Sequence, residues 1–204
     1  MTDRPAIEFF DRQAPSWDAL DHGQALRLLP DILERAGIGP GDRVLDVGAG
    51  TGILVPFLEA AGAAGMAAVD VSPGMAKEYR RKFPGRRFEV ADFGQDRLPF
   101  PPDGFTKVLV FNSFPHFREP EAVFREAFTL LEPGGRLVIC HSMDRAALNA
   151  LHRGAGRDVE RDVLIPDAAI TALFRGAGFI RVVVDDGEYF YSAGDKSASP
   201  RFSF

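Results

Sequence analysis

Three glycines fall within five residues at Gly48-Ala49-Gly50-Thr51-Gly52, directly after the apolar run Val44-Leu45-Asp46-Val47. Glycine allows a sharp turn there and lets a ligand reach the backbone with no Cβ in the way. A helical pattern starts at Ile53, and a helix in that position turns its unpaired N–H groups and positive dipole end toward the same spot. The chemistry this suits is the holding of a polar or charged ligand group at a strand–turn–helix junction. The spacing differs from the G-x-G-x-x-G of NAD and FAD sites. The third glycine comes one place early, and Ile53 stands where a dinucleotide site needs a small residue.

Other residues could act with this turn. Asp70 ends an apolar run roughly 20 residues beyond it, where a nucleotide fold places a carboxylate for the two ribose hydroxyls. Asp92-Phe93 follows a further apolar run, with Asp96 nearby as a second acid. His116 lies in the loop Asn112-Ser113-Phe114-Pro115-His116-Phe117, either as a proton acceptor near neutral pH or as a histidine that only packs between Phe114 and Phe117. His141 leaves the last of these apolar runs. Arg145, Asn149 and His152 then share one polar face of a helix, with Arg153 and Arg157 behind. That face is either solvated or a donor surface for a carboxylate or phosphate, which arginine holds through paired hydrogen bonds. A metal on His141 and His152 with Asp158 or Asp162 is a third reading, but its spacing matches no known site, so none is assigned.

The elements that must position these groups alternate. The pattern predicts one or two short helices over residues 4–20, broken at Pro15, and a helix over 23–36 ended by Gly37. Strands are expected at 43–47, 66–69, 87–91, 107–111 and 137–140, with helices at 53–61, 119–130, 145–153 and 166–175. A helix capped by Ser72, with Pro73 at its first position, follows strand two. Glu132-Pro133-Gly134-Gly135 reads as a turn before strand five. An antiparallel pair, 179–184 and 188–192, is expected across Asp185-Asp186-Gly187. A polar loop spans 154–162, and a loosely held tail 195–204, in which Phe202 and Phe204 could dock. The sum is an α/β fold, a doubly wound and mostly parallel seven-stranded sheet in one domain of residues 1–204. Residues 1–40 would form an N-terminal helical cap, 41–140 the binding core, and 141–195 the substrate-side helices and final strands.

Composition narrows the partners. With a net charge of −5, the chain does not read as a nucleic-acid backbone binder. A single cysteine, Cys140, excludes an internal disulfide and a multi-cysteine metal site. No run reaches the ~20 apolar residues of a membrane span, and the N-terminus lacks the apolar core of a signal peptide. A cytoplasmic protein without membrane association is the expectation; the oligomeric state is not legible.

The glycine turn, Asp70, Asp92-Phe93 and Leu131-Glu132-Pro133-Gly134-Gly135-Arg136-Leu137, in that order, resemble the motifs of class I S-adenosylmethionine-dependent methyltransferases of the small-molecule type. The resemblance runs by motif through about residues 7–140 and beyond them only by strand order. It implies S-adenosyl-L-methionine as cofactor and methyl transfer to a small-molecule acceptor, possibly an anionic one, leaving S-adenosylhomocysteine. Gly48, Ala49, Gly50 and Gly52 would line the methionine part, with Asp46 orienting the amino-acid end through backbone or water. Asp70 with Val71 would hold the ribose, Met75, Asp92 and Phe93 the adenine, and Asn112 would border the cofactor. His116 would sit beside the methyl group as candidate base. His141, Arg145, Asn149 and His152 would meet the acceptor. The stretch Phe9–Asp18, Trp17 included, resembles the N-terminal segment that folds over the cofactor in such enzymes; it could equally be a segment packed on the sheet. The loop at 112–117 differs from the Asn-Pro-Pro-Tyr type of adenine amino methylation, and no Pro-Cys nucleophile occurs. A cofactor-binding regulatory partner without transfer activity is the alternative; a nucleotide-dependent dehydrogenase is disfavoured by the glycine spacing.

Overall fold

The computed structural model describes residues 4–154 and 162–198. Seven strands form one sheet in the order β3-β2-β1-β4-β5-β7-β6. They are β1 (Arg43–Val47), β2 (Gly65–Asp70), β3 (Arg87–Val90), β4 (Phe105–Phe111), β5 (Leu131–Cys140), β6 (Ile180–Asp186) and β7 (Phe190–Asp195). The first five run parallel, and β7 is antiparallel to both β5 and β6. The helices are α1 (Arg4–Gln13), α2 (Gly23–Ala36), α3 (Val55–Ala60), α4 (Pro73–Lys82), α5 (Pro120–Leu130), α6 (Arg145–Gly154) and α7 (Asp167–Ala177). Short 3-10 turns span Ala14–Ala19 and Phe114–His116.

The pleat sorts alternate residues of the central strands onto two apolar layers. Val44, Leu109, Phe111, Val138 and Cys140 pack with Leu28, Leu29, Ile32 and Leu33 of α2 and Leu58 of α3. Their neighbours Leu45, Val47, Val108, Val110, Leu137 and Ile139 pack with Val123, Phe124 and Ala127 of α5 and Ile170 and Phe174 of α7. Both faces are covered, which is why β1 and β4 read as continuous apolar runs rather than alternating ones. Strand order reverses between β1 and β4, and a ligand crevice forms at their carboxyl ends in folds of this kind.

Several boundaries differ from the sequence reading. The helix after the glycine turn begins at Val55 rather than Ile53, because residues 50–54 form turns, with the Val55 amide donating to the Gly52 carbonyl at 3.2 Å. The Pro133-Gly134-Gly135 segment lies inside β5 as an irregularity. Leu131 pairs with Phe105 and pairing resumes at Arg136 with Lys107. The final hairpin is longer, and its turn lies at Gly187-Glu188-Tyr189, closer to the chain end than expected. Asp195 is not part of a loose tail: it is buried and held by Arg136 at 2.7 Å and Arg181 at 2.9 Å. Lys196 exchanges backbone bonds with Gly134 and Gly135. The predicted polar loop, bar Gly154 and Asp162, and the docking of Phe202 and Phe204 lie outside the described residues. Among the described residues, no helix is long and apolar enough to cross a membrane.

Candidate active site

The glycine turn is fastened to the end of β2. The Gly48 and Ala49 amides donate to the Val69 carbonyl at 2.9 and 3.2 Å, and the Gly50 amide donates to Asp70 Oδ2 at 2.8 Å. Asp70 Oδ1 accepts from the Ser72 amide at 2.9 Å. Both carboxylate oxygens therefore organise backbone and keep lone pairs for further donors. Burial raises the Asp70 pKa, against the Ser72 and Gly50 amides and the charge of His116. The three glycines differ in what they allow. A Cβ on Gly48 would lie 2.4 Å from Ser113 Oγ, and one on Gly52 2.7 Å from the Tyr79 ring, whereas a Cβ on Gly50 would meet nothing within 4 Å. The first and third are packing requirements. Gly50 borders open space.

That space is a cavity of about 710 Å³. Gly48, Ala49, Gly50, Gly52, Asp70, Val71, Met75, Asp92, Phe93, Asn112 and His116 all border it, as does Trp17. Ser72 caps α4 by accepting from the Met75 amide at 3.0 Å, which fixes Met75 at the wall. Both acids after β3 border the cavity; Asp96 Oδ2 turns back to accept the Asp92 amide at 2.9 Å, while Asp92 stands beside Phe93. Asn112 has φ of 52°, in the left-handed region that asparagine enters more readily than most residues with a side chain. Its side-chain oxygen accepts the Ser142 amide at 2.7 Å, tying the ends of β4 and β5 together.

The opposite wall is largely apolar and comes from the N-terminal segment and α2 and α3: Ile7, Phe10, Trp17, Leu26, Pro56 and Phe57. Two aspartates in that segment, unassigned by the sequence reading, hold it in place. Asp11 accepts from Ser72 Oγ at 2.5 Å and the Gly74 amide at 2.8 Å at the start of α4. Asp18 accepts from Thr51 Oγ1 at 2.6 Å and Lys82 at 2.8 Å. These bonds join residues more than 30 positions apart, which no local pattern signals.

Asp46 is not on the cavity wall. It is buried beneath the turn, and its Oδ2 has no hydrogen-bond partner. Burial, with Asp70 adding to it, pushes its pKa up to about 8. The raised value fixes the sign of its effect. Its stabilising contribution is full below the ordinary carboxylate pKa near 4 and is lost as pH rises through 8. Asp46→Asn, which removes the titration, should therefore gain stability over the native chain between pH 4 and 8, at up to ~1.4 kcal/mol per pH unit, and hold a constant advantage above that. Urea unfolding at pH 5, 7 and 9 checks this; an equal or shrinking difference with rising pH would contradict the assignment.

The structure does not bring the expected acceptor face to the cavity. Arg145 is engaged elsewhere: Nη1 donates to Asp186 at 2.7 Å, Nε to the Ile165 carbonyl at 3.1 Å, and Nη2 pairs with Asp167. Asn149 brackets Leu164, accepting its amide at 2.7 Å. This face of α6 fastens the chain before α7 and the end of β6. His141 is only 1% exposed, and neither ring nitrogen has a partner. Burial, then His116 and His152, pushes it down to about 3, so it is neutral. His152 is buried and donates to the Asp162 carbonyl. His116 does join the wall, its ring edge-on to Phe10 at 5.0 Å and 5.1 Å from His152, and His22, unassigned by the sequence reading, borders the cavity too. Among the described residues, no group of three or more His, Cys, Asp or Glu is placed to hold a metal; Asp158 and Arg157 lie outside them.

Residues 45–139 match the family model described as "Methyltransferase domain". The chain is 34% identical over 135 residues to a demethylmenaquinone methyltransferase of Renibacterium salmoninarum, covering 64% of this chain and 55% of that protein. It is 40% identical over 142 residues to the enzyme of the same name from Mycolicibacterium paratuberculosis, covering 67% and 59%. The chain thus spans little more than half the length of these relatives. A Thermotoga maritima structure, titled an S-adenosylmethionine-dependent methyltransferase and possible histamine N-methyltransferase, superposes with a TM-score of 0.74 at 20% identity, covering 94% and 100% of the two chains. Fold and sequence define a Rossmann-like methyltransferase domain. The matches and the fold support a class I S-adenosylmethionine-dependent methyltransferase, with S-adenosyl-L-methionine as cofactor.

Proposed function

We propose that this protein transfers a methyl group from S-adenosylmethionine to a small, largely apolar acceptor. One observation carries the reading: a single cavity is lined both by the glycine turn, Asp70 and Asp92 and by Phe10, Trp17, Leu26, Phe57 and His116. The residues fit the cofactor. Gly50 offers backbone with no side chain in the way, Asp70 keeps lone pairs for the ribose hydroxyls, Asp92 is displayed for the adenine amino group, and Phe93 and Met75 supply apolar surface for its ring. Bound there, S-adenosylmethionine supplies an electrophilic methyl group and leaves as S-adenosylhomocysteine. The chain's own task is alignment and exclusion of water, and the aromatic wall serves both. The base that takes the acceptor's proton is His116, which borders the cavity. An apolar ring compound suits the wall better than an anion, since Arg145 is engaged elsewhere, and the relatives are named for a demethylmenaquinone.

The test is a methyl-transfer screen over phenolic and quinol-type rings against carboxylated and phosphorylated metabolites. Transfer to the apolar rings is expected. His116→Gln should lower kcat by about 10²-fold or more, while S-adenosylhomocysteine affinity changes little. Preferred transfer to anionic acceptors, or full kcat in His116→Gln, would contradict the reading.

A further inference from the structure

A carboxylate outside the cavity wall meets a histidine on it. Asp162, just before α7, reaches His116 Nδ1 with its Oδ2 at 2.7 Å, joining positions 46 apart in the chain. Both side chains are mostly shielded, at 18% and 23% exposed, so the contact is screened less than a surface pair. The Asp162 backbone is held in turn, since its carbonyl accepts from His152 Nδ1, and His152 is seated on α6. Phe10 packs on the other side of the His116 ring. The imidazole is thus gripped by a ring contact on each side and by a carboxylate at one nitrogen.

We propose that Asp162 is a positioning residue for His116, forming with it a carboxylate–imidazole dyad that fixes the proton on Nδ1 and leaves the Nε2 lone pair for the acceptor. The inference rests on the reading of His116 as base given above. A carboxylate accepts but does not donate, so the hydrogen of a neutral His116 must lie on Nδ1. Nε2 is then the basic atom. As the acceptor's O–H or N–H breaks, its proton passes to Nε2 and its electron pair stays on the acceptor for the incoming methyl. The imidazolium that results remains paired with the Asp162 carboxylate until water takes the proton. The other histidines do not compete for that role: burial lowers the pKa of His141 to about 3, His152 has its Nδ1 proton committed to the Asp162 carbonyl, and His22, also on the wall, has its Nε2 against the Trp17 carbonyl at 2.8 Å. Asp70, on the same cavity, also interacts with His116 electrostatically. This arrangement demands an acceptor that arrives protonated.

The experiment is nitrogen NMR on the full chain with labelled histidine, which has four such residues. His116 is assigned by its loss in His116→Gln. In the native chain, above the pH at which the ring is neutral, its signals should report the Nδ1–H form. In Asp162→Asn the amide can donate instead, and the Nε2–H form should appear. With the wrong tautomer, kcat should fall ~10²–10⁴-fold at unchanged S-adenosylhomocysteine affinity, and Asp162→Glu should recover part of it. A native His116 in the Nε2–H form overturns the dyad, and needs only the assignment variant His116→Gln to fold. The same tautomer in Asp162→Asn as in the native chain also overturns it. Absence of transfer by the native chain would instead count against the proposed function, while the tautomer measurement stands by itself.

Discussion

Alanine at position 48 should lower the stability of the fold by ~2–4 kcal/mol and remove cofactor binding. Gly48 has φ of 70°, where an L side chain costs roughly 1–2 kcal/mol. The new Cβ would also sit 2.4 Å from Ser113 Oγ and 2.5 Å from Ser113 Cβ. Ser113 would have to move, giving up its bond to the Val47 carbonyl at 3.1 Å, worth about 1 kcal/mol. Because Ser113 begins the loop that carries His116, the disturbance crosses from β1 to the acceptor side. Gly50→Ala is the control. Its φ is 53° but its Cβ would touch nothing, so stability should fall by only ~1 kcal/mol and the loss should show mainly in ligand affinity. Urea unfolding of both variants separates the two costs. Equal destabilisation would mean that the approach of Ser113 does not matter.

Asp70→Ala is expected to have the larger effect on binding. The substitution leaves the Gly50 and Ser72 amides without their acceptor and, on the proposed assignment, two ribose hydroxyls without theirs. Unpaired polar groups cost about 1–3 kcal/mol each, so affinity should fall by at least ~10–100-fold. Asp70→Asn retains one oxygen acceptor and should fall between the two. The amide contacts also predict that Asp70→Ala loosens the turn without ligand, visible as faster hydrogen exchange at Gly50 and Ser72.

The sheet was legible because most of the parallel strands contain a short apolar run bounded by glycine, proline or an acid, and β1 and β4 carry two core faces at once. The cofactor side was legible for the same local reason: Gly48, Gly50, Asp70, Asp92 and Asn112 each stand at or just after a strand's carboxyl end, so their spacing follows the strand–helix repeat. The acceptor side was not. The polar stripe of Arg145, Asn149 and His152 looks the same whether it faces a cleft or a neighbouring segment. Here the partners that decide it, Ile165, Asp167 and Asp186, come 20 or more positions later. Asp162 was visible as a possible metal ligand. Its pairing with His116 depends on how the chain enters α7, which periodicity does not fix.

Cofactor binding at the β1–β4 crevice is tested most directly by calorimetric titration of the native chain with S-adenosylhomocysteine, S-adenosylmethionine and NAD. One site per chain is expected for the first two, little or no heat with NAD, and affinity reduced at least ~10-fold in Asp70→Ala. Affinity unchanged by Asp70→Ala, or NAD bound more tightly than S-adenosylmethionine, would contradict it.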